Sequence, residues 1–256
     1  MLKSLIQTIY PSGITCIACG RELDNVTRYG MCAECNPPRI LSFCFVCGNE
    51  LSGTKNYCDN CMNKDKAFNE ARAPFCYDNE VVRKLVYGLK YGDKTFLAPY
   101  MAEFMADTFF SQNWQPDVLT YVPIHRRKKM LVRGYDQSEL LAENVSLLTG
   151  VRLDTLLKKT VYTRKNAAKL GADDRRLLLE NSFEVIGDVK GKNILLIDDV
   201  CTSGATTEEC ARVLKQARAK RVWVLTFAAS REKPQLYSLD DADKMLNKFI
   251  KNKKLK

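Results

Sequence analysis

The spacing of apolar positions changes along the chain, and each change marks an element. Over residues 81–89 and 96–110, apolar side chains recur every three or four positions, which predicts two helices. Residues 137–148 predict a third, with Leu140, Leu141, Val145 and Leu148 on one side. Short apolar runs at 118–123, 183–185, 194–197 and 221–227 predict strands, and 151–153 the start of another. A fourth helix is expected over 206–217, between the last two strands. Strand, crossover helix, strand implies an α/β domain whose parallel sheet is covered on both faces.

Residues 13–62 follow neither period. They are rich in Gly, Asn and Pro and hold Cys16, Cys19, Cys32, Cys35, Cys44, Cys47, Cys58 and Cys61. The shift divides the chain into a small module at 1–62, a connector at 63–75, the α/β domain at 76–232 and a basic tail at 233–256. The lysine-rich end, 246–256, is expected to be a frayed, solvated terminus or a helix.

The eight early cysteines form four C-x2-C pairs. Each pair lets two thiolates grip one ion, and two pairs supply the four soft ligands of a tetrahedral zinc site. Gly20 and Gly48 each follow a pair, where a left-handed turn is easily met. Two structural Zn2+ sites are expected, because no histidine or spare acid is there to leave a position open. Sequential sharing (16, 19, 32, 35 and 44, 47, 58, 61) is the simplest arrangement, and spacing also permits an interleaved one. A region this small and poor in apolar residues needs its metal to fold.

Charge adds a partner class. With 40 basic against 30 acidic residues the net charge is +10. That favours an anionic partner: nucleic acid, a phosphorylated small molecule or a membrane surface. A merely solvated basic surface fits the same count. No apolar run approaches the ~20 residues that span a bilayer. The first ten residues lack the parts of a signal peptide. A cytoplasmic location is therefore expected, and its reducing conditions favour metal ligation over disulfides.

The densest chemistry lies at 194–207, ILLIDDVCTSGATT. A strand ends at Asp198 and Asp199, a small-residue turn follows, and a helix begins near Thr206. Backbone N–H groups and the positive helix end converge there, among the hydroxyls of Thr202, Ser203, Thr206 and Thr207. Gly204 permits close backbone approach. This makes a phosphate cradle, without the G-K-[ST] core of a Walker loop. Two acids repel phosphate, so they are expected to face vicinal sugar hydroxyls, directly or with a magnesium ion nearby. Helix caps explain one or two such polar residues but not the whole set.

LLIDDVCTSGAT resembles the signature of type I phosphoribosyltransferases: apolar residues, two acids, then a T-T-G-x-T-like loop. The likeness extends to the ComF family of competence-associated proteins, which join an N-terminal zinc ribbon to such a domain. YVPIHRRKKMLVRGYDQSELLAENV, 121–145, is similar to that family's V-P, basic run, R-G-[FY]-[ND]-Q and helix. LVYGLKYGDK, 85–94, resembles its upstream lysine-containing segment. The match runs from about residue 14 to 230.

The resemblance implies a ligand, phosphoribosyl pyrophosphate (PRPP), bound with Mg2+. By it, Asp198 and Asp199 bind the ribose hydroxyls, and one acts as a general base. Val200, Cys201, Thr202, Ser203, Gly204, Ala205 and Thr206 form the rest of the PRPP loop. Pro123, Ile124, His125, Arg126 and Arg127 form the pyrophosphate loop, with Arg133 and Gln137 of the R-G-Y-D-Q motif nearby. Ala167 stands where the family often has Gln. His125, the sole histidine, contacts a leaving group or is simply solvated. Cys201 is activated by the helix end or is a small residue that fits. Two roles follow: transfer of phosphoribosyl to an unidentified acceptor, or binding of single-stranded DNA and DNA-uptake proteins with PRPP as a regulatory ligand. The run Arg126, Arg127, Lys128, Lys129 suits pyrophosphate or a nucleic-acid backbone.

Overall fold

The computed structural model describes residues 15–24, 27–62, 65–162 and 179–232. Its centre is a parallel sheet. Strands β1 (Glu70–Arg72), β3 (Val118–Tyr121), β6 (Asn193–Cys201) and β7 (Arg221–Ala229) lie in the order β1-β7-β6-β3, and β2 (Phe75–Cys76) also pairs with β7. Strands β4 (Leu157–Lys159) and β5 (Phe183–Val185) form a separate antiparallel pair.

Alternation along β6 assigns its two faces. Leu195 and Ile197 point to the side covered by helices α1 (Glu80–Tyr91), α2 (Leu97–Phe110) and α3 (Gln137–Thr149). Ile194 and Leu196 point to the side covered by α4 (Ala205–Gln216), where Cys210, Ala211 and Leu214 meet them. Both sets are fully buried. This is the period of two expected of a strand that is buried on both faces.

The helix ends are set by local chemistry. The Asn79 side chain accepts from the N–H groups of Val81 (2.9 Å) and Val82 (3.2 Å) and starts α1. Asp136 starts α3 by accepting from Ser138 N–H at 3.0 Å, and Gly150 closes it in the left-handed conformation. Leu141, Ala142 and Val145 carry the buried face of α3, whereas the expected Leu148 is exposed.

The cysteine module divides into two clusters of four: Cys16, Cys19, Cys32, Cys35, and Cys44, Cys47, Cys58, Cys61. The sharing is sequential. In each, one ligand atom from every cysteine lies within 4.8 Å of the others. The first cluster docks on α2, where the Tyr29 ring stacks on Phe104 at 4.0 Å. The second packs against the opposite face of the sheet, with Phe68 and Ala71.

Three expectations need correction. The 63–75 stretch is not only a connector, because it carries β1 and part of β2 on the edge of the sheet. Those strands are too short for a period to show. The strand expected at 151–153 reduces to one bridge, Leu153 to Leu119. The chain leaves the sheet after Asp154 and re-forms as β4. Strand β6 does not stop at Ile197. The ladder to β7 continues through Asp198 opposite Thr226, Val200 opposite Ala228 and Cys201 opposite Ala229, so both acids are strand residues. The 246–256 segment, the basic tail beyond Glu232 and Ala167 lie outside the described residues.

Candidate functional site

The acid pair sits at the C-terminal ends of the parallel strands, where the chain runs on into α4. Asp199 follows Leu195 and Ile197 onto the face of α1–α3. There it meets Lys90 from the last turn of α1. The ammonium donates to Oδ1 at 2.9 Å and lies 2.7 Å from Oδ2, a contact of charge rather than of hydrogen-bond geometry. Asp198 is also buried. Its Oδ1 accepts from the Ser138 hydroxyl and from Asp199 N–H, both at 2.9 Å. Burial, then the charge of Asp199, pushes the Asp198 carboxyl up to about 7. Burial works against the Lys90 ammonium, but the fields of Asp199 and Asp198 outweigh it and hold its pKa above the usual lysine value.

The following loop has the geometry of an anion cradle. Thr202 and Ser203 are exposed, Gly204 is left-handed (φ 74°), and α4 begins at Ala205. The Ser203 hydroxyl accepts from Ala205 N–H at 3.4 Å. Thr206 is half-buried. Thr207 is turned inward and donates to Gly204 O at 3.0 Å, so its hydroxyl belongs to the turn. Cys201 is buried, and burial raises its thiol to about 11.

The loop after β3 closes the site. Asp136 ties it down: its Oδ2 accepts from Ile124 N–H at 2.8 Å while Oδ1 caps α3. Pro123 is buried, and His125 Nδ1 accepts from Arg127 N–H at 3.1 Å, capping the helical turn Arg126–Lys128. The expected basic loop is therefore helical, and it runs on as one wide turn, Lys129–Arg133. Arg126 and Arg127 face outward. Lys128 is half-buried, and burial followed by the charges of Arg133, Lys159 and Lys90 lowers its pKa to about 8. Lys159, from β4, is also lowered, chiefly by burial. Arg133 is buried, bonds Gln137 and lies over the Tyr91 ring at 4.9 Å. These cations raise one another's energy, and an anion among them relieves it.

The second cysteine cluster reaches this site. Cys47, Cys58, Asn60, Cys61 and Lys66 face Cys201–Gly204 across a small cleft. Ala67 N–H donates to Glu208 in the first turn of α4 at 2.9 Å.

The described residues thus bring the expected acid pair, loop and basic turn together. Ser138 and Lys159 carried no expected role, and Lys90 only a place in a motif. One signal for Lys159 is parity: two residues on from buried Leu157, it shares that inward face.

The implied metals fit unequally. Both cysteine clusters match structural zinc in ligand type, number and spacing. The acid pair does not match a direct magnesium site, because Lys90 covers both oxygens of Asp199 and protein donors hold Asp198 Oδ1.

Strand order, acid pair and loop define a phosphoribosyltransferase-type domain joined to a two-cluster cysteine module. The Phosphoribosyl transferase domain matches residues 136–254. Competence protein F of Haemophilus influenzae is 24% identical over 83% of this chain and 96% of its own length. DNA utilization protein YhgH of Escherichia coli K12 is 25% identical over 77% and 90%. Competence protein ComFC of Bacillus subtilis is 26% identical over 86% of each. The chain is thus similar to ComF-type proteins and carries a phosphoribosyltransferase-like domain. Among solved structures, the allosteric regulatory enzyme of purine biosynthesis aligns with a TM-score of 0.40 and 19% identity, over 56% of this chain and 30% of that one. No helix of the described residues is long and apolar enough to cross a membrane.

Proposed function

We propose that the site binds a phosphoribosyl ligand, PRPP, and that both cysteine clusters hold structural Zn2+. The observation that carries the reading is the acid pair of β6 running directly into an exposed loop at the start of α4. Thr202, Ser203, Gly204, Ala205 and Thr206 take the 5-phosphate at the positive helix end. Asp198 and Asp199 accept from the ribose hydroxyls. Pyrophosphate lies against Pro123–Arg127, with Lys128, Arg133 and Lys159 meeting its charge.

Transfer at this site is displacement at the anomeric carbon. The bond from C1 to the pyrophosphate oxygen breaks, its electron pair leaves with pyrophosphate, and an acceptor's lone pair forms the new bond. The fixed cations stabilise the charge that develops on the leaving group. Asp198, with its raised pKa, is the carboxylate suited to take the acceptor's proton.

The biological setting follows from the relatives' names, competence and DNA utilization. Exposed Phe45 and Tyr57, edge to face at 5.9 Å on the second cluster, favour a second role in single-stranded DNA binding, because exposed rings stack on bases. Calorimetry with PRPP decides the first reading. Saturable heat that Asp198→Asn/Asp199→Asn abolishes supports it, and no heat with an unchanged melting temperature overturns it. Oligonucleotide binding that weakens steeply with salt and with Phe45→Ala/Tyr57→Ala tests the second.

A further inference from the structure

We propose that the Lys90 ammonium is the built-in cation of the acid pair, so that ribose phosphate is held there without a divalent metal on Asp199. This rests on the phosphoribosyl reading above and adds to it a residue that sets the metal requirement.

Two adjacent buried carboxylates repel one another and need a cation between protein and ligand. A magnesium ion fills that need with oxygen ligands at roughly 2.0–2.1 Å in near-octahedral array. Here the need is met from α1. Lys90 Nζ lies 2.9 and 2.7 Å from the two oxygens of Asp199, whose side chain is 3% exposed. An ammonium straddling the carboxylate edge occupies the space a metal would take and opposes its charge. Asp198 is turned to Ser138 and to its neighbour's N–H.

The lysine is held in place from several sides. The Tyr135 hydroxyl donates to Leu89 O at 2.5 Å, which fixes the end of α1 to the turn before α3. Arg133 over Tyr91 makes a second tie, one residue beyond Lys90. Lys128 feels the charges of Lys90, Arg133 and Lys159, so further protein cations lie near the acid pair. The sequence shows the source as one lysine in an otherwise apolar stretch, LVYGLKY.

Ribose 5-phosphate is the probe of choice, because PRPP binds magnesium through its own pyrophosphate. Calorimetry is run in buffer freed of divalent ions on a resin, with no chelator, so that cysteine-held metal stays. For the wild type, adding millimolar Mg2+ changes the Kd by less than about threefold. Lys90→Met weakens binding at least about tenfold in metal-free buffer and regains most of it with Mg2+, and Lys90→Arg stays metal-independent.

A melting curve supplies a readout without ligand: Mg2+ alone raises the melting temperature of Lys90→Met and leaves the wild type unmoved. Wild-type binding that falls more than about tenfold without Mg2+ overturns the proposal, as does Lys90→Met binding like the wild type. If Lys90→Met does not fold, the wild-type comparison and Lys90→Arg still decide. A wild type that binds neither ribose 5-phosphate nor PRPP in either buffer removes the phosphoribosyl reading itself. Binding lost only without Mg2+ removes the Lys90 proposal alone.

Discussion

Tyr29, in the first cysteine cluster, lies flat on Phe104 of α2, with ring centroids 4.0 Å apart and planes 11° from parallel. Its hydroxyl donates to Asp107 at 2.5 Å, where Arg28 and Arg39 also converge. The stack joins a module with little core of its own to a helix that packs on the sheet. Truncation of Tyr29 to Ala is expected to cost about 2 kcal/mol in denaturant unfolding, below the value for a fully buried ring. Tyr29→Phe keeps the stack and loses about 1 kcal/mol with the hydrogen bond. Equal losses for both variants would show that the ring contact contributes nothing.

Stability should fall as pH rises from about 4 to about 7. Folded Asp198 keeps its proton up to about pH 7, whereas the same group in an unfolded chain releases it near pH 4. The folded state therefore binds the extra proton, and its stabilising effect is full below about pH 4 and lost by about pH 7. Asp136, raised by burial, acts in the same direction. Unfolding free energies in urea are expected to drop by a few kcal/mol over that window, and Asp198→Asn to flatten most of the slope. A slope unchanged in Asp198→Asn would remove Asp198 as its source.

Lys128 and Lys159 are the buried cations assigned above to pyrophosphate. Replacing either with Met should weaken PRPP roughly tenfold, about 1.4 kcal/mol, and leave ribose 5-phosphate within about twofold. Parallel titrations of the two ligands check this. Equal losses for both would place these lysines elsewhere in the site.

Gly20 and Gly48 occupy equivalent places after their C-x2-C pairs and are both left-handed, at φ 78° and 71°. Around Gly20 an added Cβ meets nothing within 4 Å, but at Gly48 it falls 2.5 Å from Ala71 O. Gly20→Ala should cost only the backbone term, about 1 kcal/mol, and Gly48→Ala at least twice that. Melting temperatures of the two variants make the comparison.

Much of this was legible because it is local. C-x2-C pairs declare metal ligands by spacing, and ILLIDDVCTSGATT places acids, turn and helix start within a few residues. What was not legible depends on distant chain meeting. Ser138 reaches Asp198 from 60 positions away, and Lys90 reaches Asp199 from 109. Neither separation leaves a mark on local periodicity. The edge strand β1 was hidden for another reason. Three residues cannot show a period, and the partner that orders them, β7, lies about 150 residues on.

Gly48 does more than turn the chain. It lets the second knuckle lie against β1, where Val46 O accepts from Ala71 N–H at 2.7 Å and Phe45 O from Arg72 at 2.9 Å. β1 is the outer strand of the sheet, so the knuckle covers a rim that would otherwise offer its backbone to another chain. The cysteine module thereby masks that edge. A molecule whose second cluster is broken by Cys47→Ser is expected to betray itself first by concentration-dependent clumping, edge to edge, before any question of its ligand arises.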